Sequence, residues 1–370
     1  MNKLPLNICH ITTVHSRYDD RIFLKECVSL TKEYNVYLIV ADGNGDETKN
    51  NVRIIDIGLR QSSRINRAKI DAKKALAKAL SLDIEIYHFH DPELLTIAKK
   101  LQKSGRKVIY DVHEDLPRQI YGKPYLNCFV KPIMSKLIEF FEAKISRQLD
   151  YIITATPFIA ERFLKLNINT IDIRNYPLLE ENTKPSYFSD KKDEICYVGG
   201  ISEYRGAYEL IESLKYSKIR LNLAGNFDDD DFEQKCKQSE GWKYVNYYGF
   251  VSREEIANIL NKSKIGIVTL HPLVNYLDSL PVKMFEYMLA GIPVIASDFP
   301  FWIDIVNNNK CGLNVNSLNA EEIAKAVTKL IINDSKMIEM GSAGRKSVIE
   351  KYNWKIEEIK ILNTYKDILK

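Results

Sequence analysis

A chain of 370 residues is too long for one ordinary hydrophobic core and suits two α/β domains of similar size. With 45% hydrophobic and 28% charged residues the composition is that of a soluble globular protein. Its net charge of +4, without a dense Lys/Arg run among aromatics, excludes a nucleic-acid binder while suiting anionic substrates.

Short β-branched runs alternate with longer helical patterns, the mark of parallel βαβ units. In the first half the strand candidates are 6–12, 35–41, 52–57, 85–89, 107–111, 151–155 and 170–173, with helical patterns over 21–32, 65–80, 93–104 and 131–147. Residues 175–189 (NYPLLEENTKPSYFS) carry two prolines and no periodicity, and read as a linker. The pattern then restarts: strands over 194–198, 220–224, 245–248, 265–270, 293–297 and 312–315, helices over 207–213, 253–261, 282–290 and 320–333. Two doubly wound domains are expected, 1–177 and 190–352. The closing segment 353–370 is expected to be a helix that packs on either half. Such sheets bind ligands beyond the carboxyl ends of their strands. No apolar run approaches the roughly 18–20 residues that span a bilayer. Met1–Leu6 lead straight into a strand with no secretory pattern, so a cytoplasmic protein is expected.

Cys9, Cys27, Cys128, Cys196, Cys236 and Cys311 form no C-x-x-C pair and read as small hydrophobes. His88 and His90 lie two apart, but the spacing offers no acidic or Cys partners, so no metal site is expected.

Several stretches carry chemistry. The loop after the first strand, His10–Arg21 (HITTVHSRYDDR), offers His15, Arg17, Asp19, Asp20 and Arg21, whose charges suit acceptor contacts, an interdomain role, or a helix cap on a solvated surface. His90–Asp91 and His113–Glu114 stand where two strands exit. In Tyr197–Gly206 (YVGGISEYRG) a strand ends in Gly199–Gly200, where a diphosphate can approach the backbone, and Arg205 precedes a helix. In Ser279–Ser297 (SLPVKMFEYMLAGIPVIAS), Lys283 and Glu286 share a helix that ends in Ala290–Gly291 just before a strand; a carboxylate there suits the paired hydroxyls of a ribose. Gly122–Arg147 mixes Lys123, Lys131, Lys136 and Lys144 with Phe129, Ile133, Met134, Leu137, Phe140 and Phe141. It reads either as a helix lying on an anionic membrane or as a core-facing helix with a solvated side.

The last two strand–helix motifs together resemble the donor site of glycosyltransferase family 4, a retaining family with the two-domain GT-B fold. The resemblance spans nearly the whole chain and implies that the closing helix over 353–370 crosses back to the first domain. It implies that Glu286 binds ribose hydroxyls and that Asp278, eight residues upstream where the family has Glu, faces the transferred sugar. Arg205 takes the place of the family's diphosphate-binding cation. A second family Arg is here Gly200, and Lys283 is expected to supply that charge, the two cations doing the work a metal would otherwise do. By the same resemblance Gly225 ends a strand at the cleft, the backbone near Phe250 and Val251 receives the base, and His113 lies near the donor sugar and phosphate. The family's Gly-rich first loop is absent here. His15, Asp20, Arg21, His90 and Glu114 are cleft or acceptor candidates.

The expected function is retaining transfer from a nucleotide sugar to a hydroxyl of a bacterial glycan, lipid-linked and at the inner membrane face, with no metal or other cofactor and no protein nucleophile. Two rivals stand beside it. An NDP-sugar 2-epimerase would act without an acceptor, and a non-catalytic nucleotide-sugar or glycan-binding module would bind without turnover.

Overall fold

The computed structural model describes residues 5–122, 126–182 and 186–370. Lys123 of the basic stretch lies outside them. The chain divides into two compact units, residues 1–175 with 355–370, and residues 176–354.

In the first unit the strands are β1 (Asn7–Ile11), β2 (Asn35–Val40), β3 (Glu47–Lys49), β4 (Val52–Asp56), β5 (Ile86–Phe89), β6 (Lys107–Val112), β7 (Tyr151–Thr154) and β8 (Thr170–Asp172). They form one sheet in the order β3-β4-β2-β1-β5-β6-β7-β8, parallel except for β3 against β4. The chain leaves β1 for β2 on one side and returns to β5 on the other, so the topological switch point lies beyond Ile11 and Phe89.

In the second unit β9 (Lys192–Val198), β10 (Arg220–Ala224), β11 (Val245–Gly249), β12 (Ser263–Val268), β13 (Val294–Ser297) and β14 (Gly312–Val315) form a parallel sheet in the order β11-β10-β9-β12-β13-β14. Its switch point lies between β9 and β12. Alternate residues of β9 enter opposite cores: Cys196 and Val198 pack with Met284, Phe285 and Met288, whereas Ile195 and Tyr197 pack with Leu210 and Leu214. Each such side chain contributes about 1.5–3 kcal/mol when fully buried.

Several elements depart from the sequence reading. Helices Pro157–Leu164, Asp230–Lys237, Pro300–Asn308 and Asp334–Glu350 were not expected. The acidic run Asp228–Asp231 reads as a surface loop in sequence. Instead Asp229 caps the helix Asp230–Lys237, accepting from Phe232 N at 2.7 Å, and Asp230 and Asp231 form its first turn. The segment 175–189 contains helical turns at Leu179–Asn182 and Phe188–Asp190. The first helix opens in wide π-type turns over Asp20–Cys27, with Leu24 N–H donating to Asp19 O at 3.2 Å. The last helix, Trp354–Ile368, joins the first unit from Lys355 onward and buries Ile361 and Tyr365 there.

Candidate functional site

In the second unit the residues with a proposed donor role gather at the switch point. Gly199 and Gly200 follow β9, and Gly225 follows β10. Gly225 has φ +139°, and a Cβ there would lie 2.0 Å from Gly199 O, so only glycine lets these two strand ends approach. Gly206, at φ +69°, opens the helix Ala207–Ser217, and a Cβ on it would lie 1.7 Å from Thr269 O. Helix start and strand end are thereby drawn together.

Two cations face this backbone. Arg205 Nη1 lies 3.5 Å from Gly200 O. Lys283, in the first turn of the helix Val282–Leu289, holds Nζ 3.6 Å from the centre of the Tyr197 ring. A Cβ on Gly199 would be 3.3 Å from that Nζ, and one on Gly200 would be 3.2 Å from Arg205 Nη1. Burial, and then the charge of Arg205, holds the Lys283 ammonium well below the usual lysine range, with Glu286 opposing. A lysine in that state gains most from an anion that restores its full charge. The helix is seated by Tyr287, whose hydroxyl accepts from Val198 N at 2.9 Å.

Glu286 lies one turn on from Lys283, half-buried, with Oε1 3.8 Å from Arg253 Nη1. The two charges flank a depression lined by Ile256, Ala257, Leu260 and Leu289. Arg253 carries no motif signal and escaped the sequence reading. Asp278 ends the short helix Val274–Leu277, outside the helix that carries Glu286. Phe250 is 83% exposed and Val251 half-buried. Glu209 Oε2 and His271 Nε2 pair at 3.0 Å beside the start of the helix Ala207–Ser217, another feature without a sequence signal.

In the first unit five of the six histidines gather around the β1/β5 switch point. His113 Nε2 lies 2.9 Å from Asp111 Oδ2, and His90 Nδ1 lies 3.2 Å from the same oxygen. Arg21 grips Asp111 through Nε (3.1 Å) and Nη2 (2.9 Å) and donates through Nη1 to Ile173 O (2.7 Å). Arg21 and His90 are therefore interior residues, not acceptor contacts, because both side chains are buried within the unit. Arg17 likewise clamps Asp42 and Glu47 at 2.6–2.7 Å, and Asp19 caps the following helix. His15, half-buried with Nδ1 3.0 Å from Asp91 Oδ1, and the exposed Asp20 and Glu114 keep surface access. The spacing offered His88 and His90 no acidic partner. The fold brings two, Glu26 and Asp111.

The helix Val130–Ser146 buries its polar face. Ser135 donates to Pro117 O at 2.9 Å, and Glu142 accepts from Tyr110 at 3.1 Å and Arg162 at 2.7 Å. Phe129, Ile133, Leu137 and Phe140 are instead 63–80% exposed, so the core-facing alternative fails for this apolar stripe.

Two family models match this chain: "Glycosyltransferase Family 4" over residues 21–174 and "Glycosyl transferases group 1" over residues 180–347. An uncharacterized 41.2 kDa protein in the cps region of Klebsiella pneumoniae is 23% identical over 291 residues, covering 74% of this chain and 73% of its own. The N,N'-diacetylbacillosaminyl-diphospho-undecaprenol alpha-1,3-N-acetylgalactosaminyltransferase of Campylobacter jejuni is 24% identical over 171 residues, 44% of this chain and 43% of its own. The crystal structure of HepE from Anabaena in complex with UDP and glucose superposes with a TM-score of 0.74 at 13% identity, covering 98% of this chain and all of that one. With two such units and both family matches, the chain belongs to the family 4 glycosyltransferases, hexosyl-transferring enzymes of GT-B fold.

Proposed function

We propose that this chain transfers a sugar, with retention of configuration, from a nucleoside-diphosphate donor to a hydroxyl of a lipid-linked bacterial glycan. The observation that carries the reading is the pair Arg205 and Lys283 over the glycine backbone after β9, with Glu286 one turn further along the same helix. In this reading Arg205 and Lys283 hold the diphosphate and stabilise the charge that grows on it as the glycosidic bond breaks. Glu286 accepts from the ribose hydroxyls, Gly225, Phe250 and Val251 border the base, and Asp278 and His113 face the transferred sugar. The leaving phosphate takes the acceptor's proton, so no protein nucleophile and no metal at the diphosphate are required. His15, Asp20 and Glu114 are the acceptor-side candidates. The presence of UDP and glucose in HepE supports the donor class, and the Campylobacter relative's undecaprenol-linked substrate supports the acceptor class.

Contact with the inner leaflet belongs to the same reading. No described helix is long and apolar enough to cross a membrane. The exposed stripe Phe129–Ile133–Leu137–Phe140, bordered by Lys136 and Lys144, suits a helix lying in an anionic surface.

A donor panel read by released nucleotide, with and without undecaprenol-linked saccharides, tests this reading. Acceptor-dependent release from one donor supports transfer. C2 epimerisation without acceptor, or tight binding with no turnover on any acceptor, overturns it.

A further inference from the structure

Strands β1 and β5 and the first helix enclose four side chains of metal-ligand type: His10, Glu26, His88 and His90. One ligand atom from each lies within 4.8 Å of all the others, and the four residues are at most 2% exposed.

The outward nitrogens of the three rings are all engaged. His10 Nε2 lies 3.1 Å and His88 Nδ1 2.7 Å from the Tyr365 hydroxyl, and His90 Nδ1 lies 3.2 Å from Asp111 Oδ2. If these nitrogens carry the protons and donate outward, His10 Nδ1, His88 Nε2 and His90 Nε2 turn lone pairs inward. Metal-binding histidines are oriented in this way, through a hydrogen bond from the ring nitrogen that does not touch the ion.

The inward atoms are poorly satisfied by protein alone. His88 Nε2 and both oxygens of Glu26 are buried and accept no hydrogen bond. Glu26 Oε1 lies 3.0 Å from Arg21 Nε, and Oε2 lies 4.0 Å from His10 Nδ1. His10 Nδ1 and His90 Nε2 lie 2.9 Å apart; one tautomer closes them as an N–H···N hydrogen bond, whereas with both rings protonated outward they face each other as two lone pairs. Arg21 is also shared with Asp111, so one guanidinium faces two fully buried carboxylates. Native interiors seldom leave so many polar atoms unmatched, and each specific instance calls for a partner.

We infer that His10, Glu26, His88 and His90 form a closed binding site for a divalent transition-metal ion of the zinc class. Three imidazoles and one carboxylate complete a four-coordinate shell, with ligand atoms drawn to about 3.3 Å apart around an ion at 2.0–2.1 Å. The second metal-like grouping, His90–Asp111–His113, is the weaker candidate, because Arg21 already holds both oxygens of Asp111. No position is left open for substrate, so the ion is structural. It would join β1 and β5 to the first helix and, through Tyr365, to the last one.

The test is metal content of the full chain, produced with zinc supplied and washed with chelator on a sizing column. About one zinc per chain is expected, falling at least tenfold in both His88→Gln and Glu26→Gln and persisting in His113→Gln. Replacement by cobalt is expected to give the intense visible bands of a four-coordinate ion. That spectrum, taken on the wild type, decides the matter even if the inner variants do not fold. A wild type with under roughly a tenth of an equivalent, weak six-coordinate cobalt bands, zinc kept by both inner variants, or zinc lost in His113→Gln would each overturn the site.

Discussion

Lys283 sits over the face of Tyr197 with 3.6 Å from ammonium nitrogen to ring centre, joining the first turn of the helix Val282–Leu289 to the penultimate residue of β9. The ring supports the cation from beneath and leaves its upper side toward Gly199. Arg205 stands beside it, so the two basic side chains meet at the end of the strand. Arg205→Ala and Lys283→Met are each expected to lower kcat more than they raise the donor KM, because diphosphate charge grows in the transition state. Steady-state kinetics that show a raised KM with kcat unchanged would make the two residues simple binding groups.

Lys283 also sets a pH dependence. Burial and Arg205 hold its ammonium well below the usual lysine range, and a bound diphosphate favours the charged form. Donor affinity is therefore fully present below the lowered value and falls as pH rises through it. Lys283→Arg, which stays charged, is expected to flatten that fall. Dissociation constants for a nucleoside diphosphate, measured from acidic to alkaline pH, check this; parallel profiles in the two proteins would remove Lys283 from the effect.

Because two side-chain cations face the proposed diphosphate position, adding Mg²⁺ or Mn²⁺ is expected to leave kcat/KM within about twofold of its value without them. Strict dependence on either ion would assign part of the donor charge to a metal.

The apolar stripe on the helix Val130–Ser146 leads to a binding prediction. The full chain is expected to float with anionic vesicles and not with neutral ones. Replacing Lys136 and Lys144 by Glu is expected to weaken this by roughly 1 kcal/mol or more per charge. Equal flotation with both vesicle types would sink the membrane reading.

Local pattern reveals the second unit well. The apolar run that becomes β9 stops at Gly199–Gly200, and Gly206 marks the start of the next helix, so strand, turn and helix N-terminus follow from residues in one short stretch. The histidine cluster is opaque for the opposite reason. His88 meets Tyr365 across 277 positions and Arg21 meets Asp111 across 90, so nothing in local spacing pairs them. The helix Val130–Ser146 shows a third case. Its periodicity displays two faces but does not say which is buried, and it is the Glu142–Arg162–Tyr110 network that turns the polar face inward. The edge strand β3 exists through its antiparallel pairing with β4, and the depression beside Arg253 through packing, neither of which leaves a local sequence signal.

Calorimetric titration of the folded chain with UDP and GDP, set against Glu286→Ala, tests the central claim most directly. One saturable site per chain is expected for at least one of them. Loss of the Glu286 carboxylate is expected to weaken it by about 1.5–3 kcal/mol, the worth of a charge-assisted hydrogen bond. No binding of either nucleotide at millimolar concentration, or equal affinity in wild type and variant, would contradict the assignment of the second unit as the donor site.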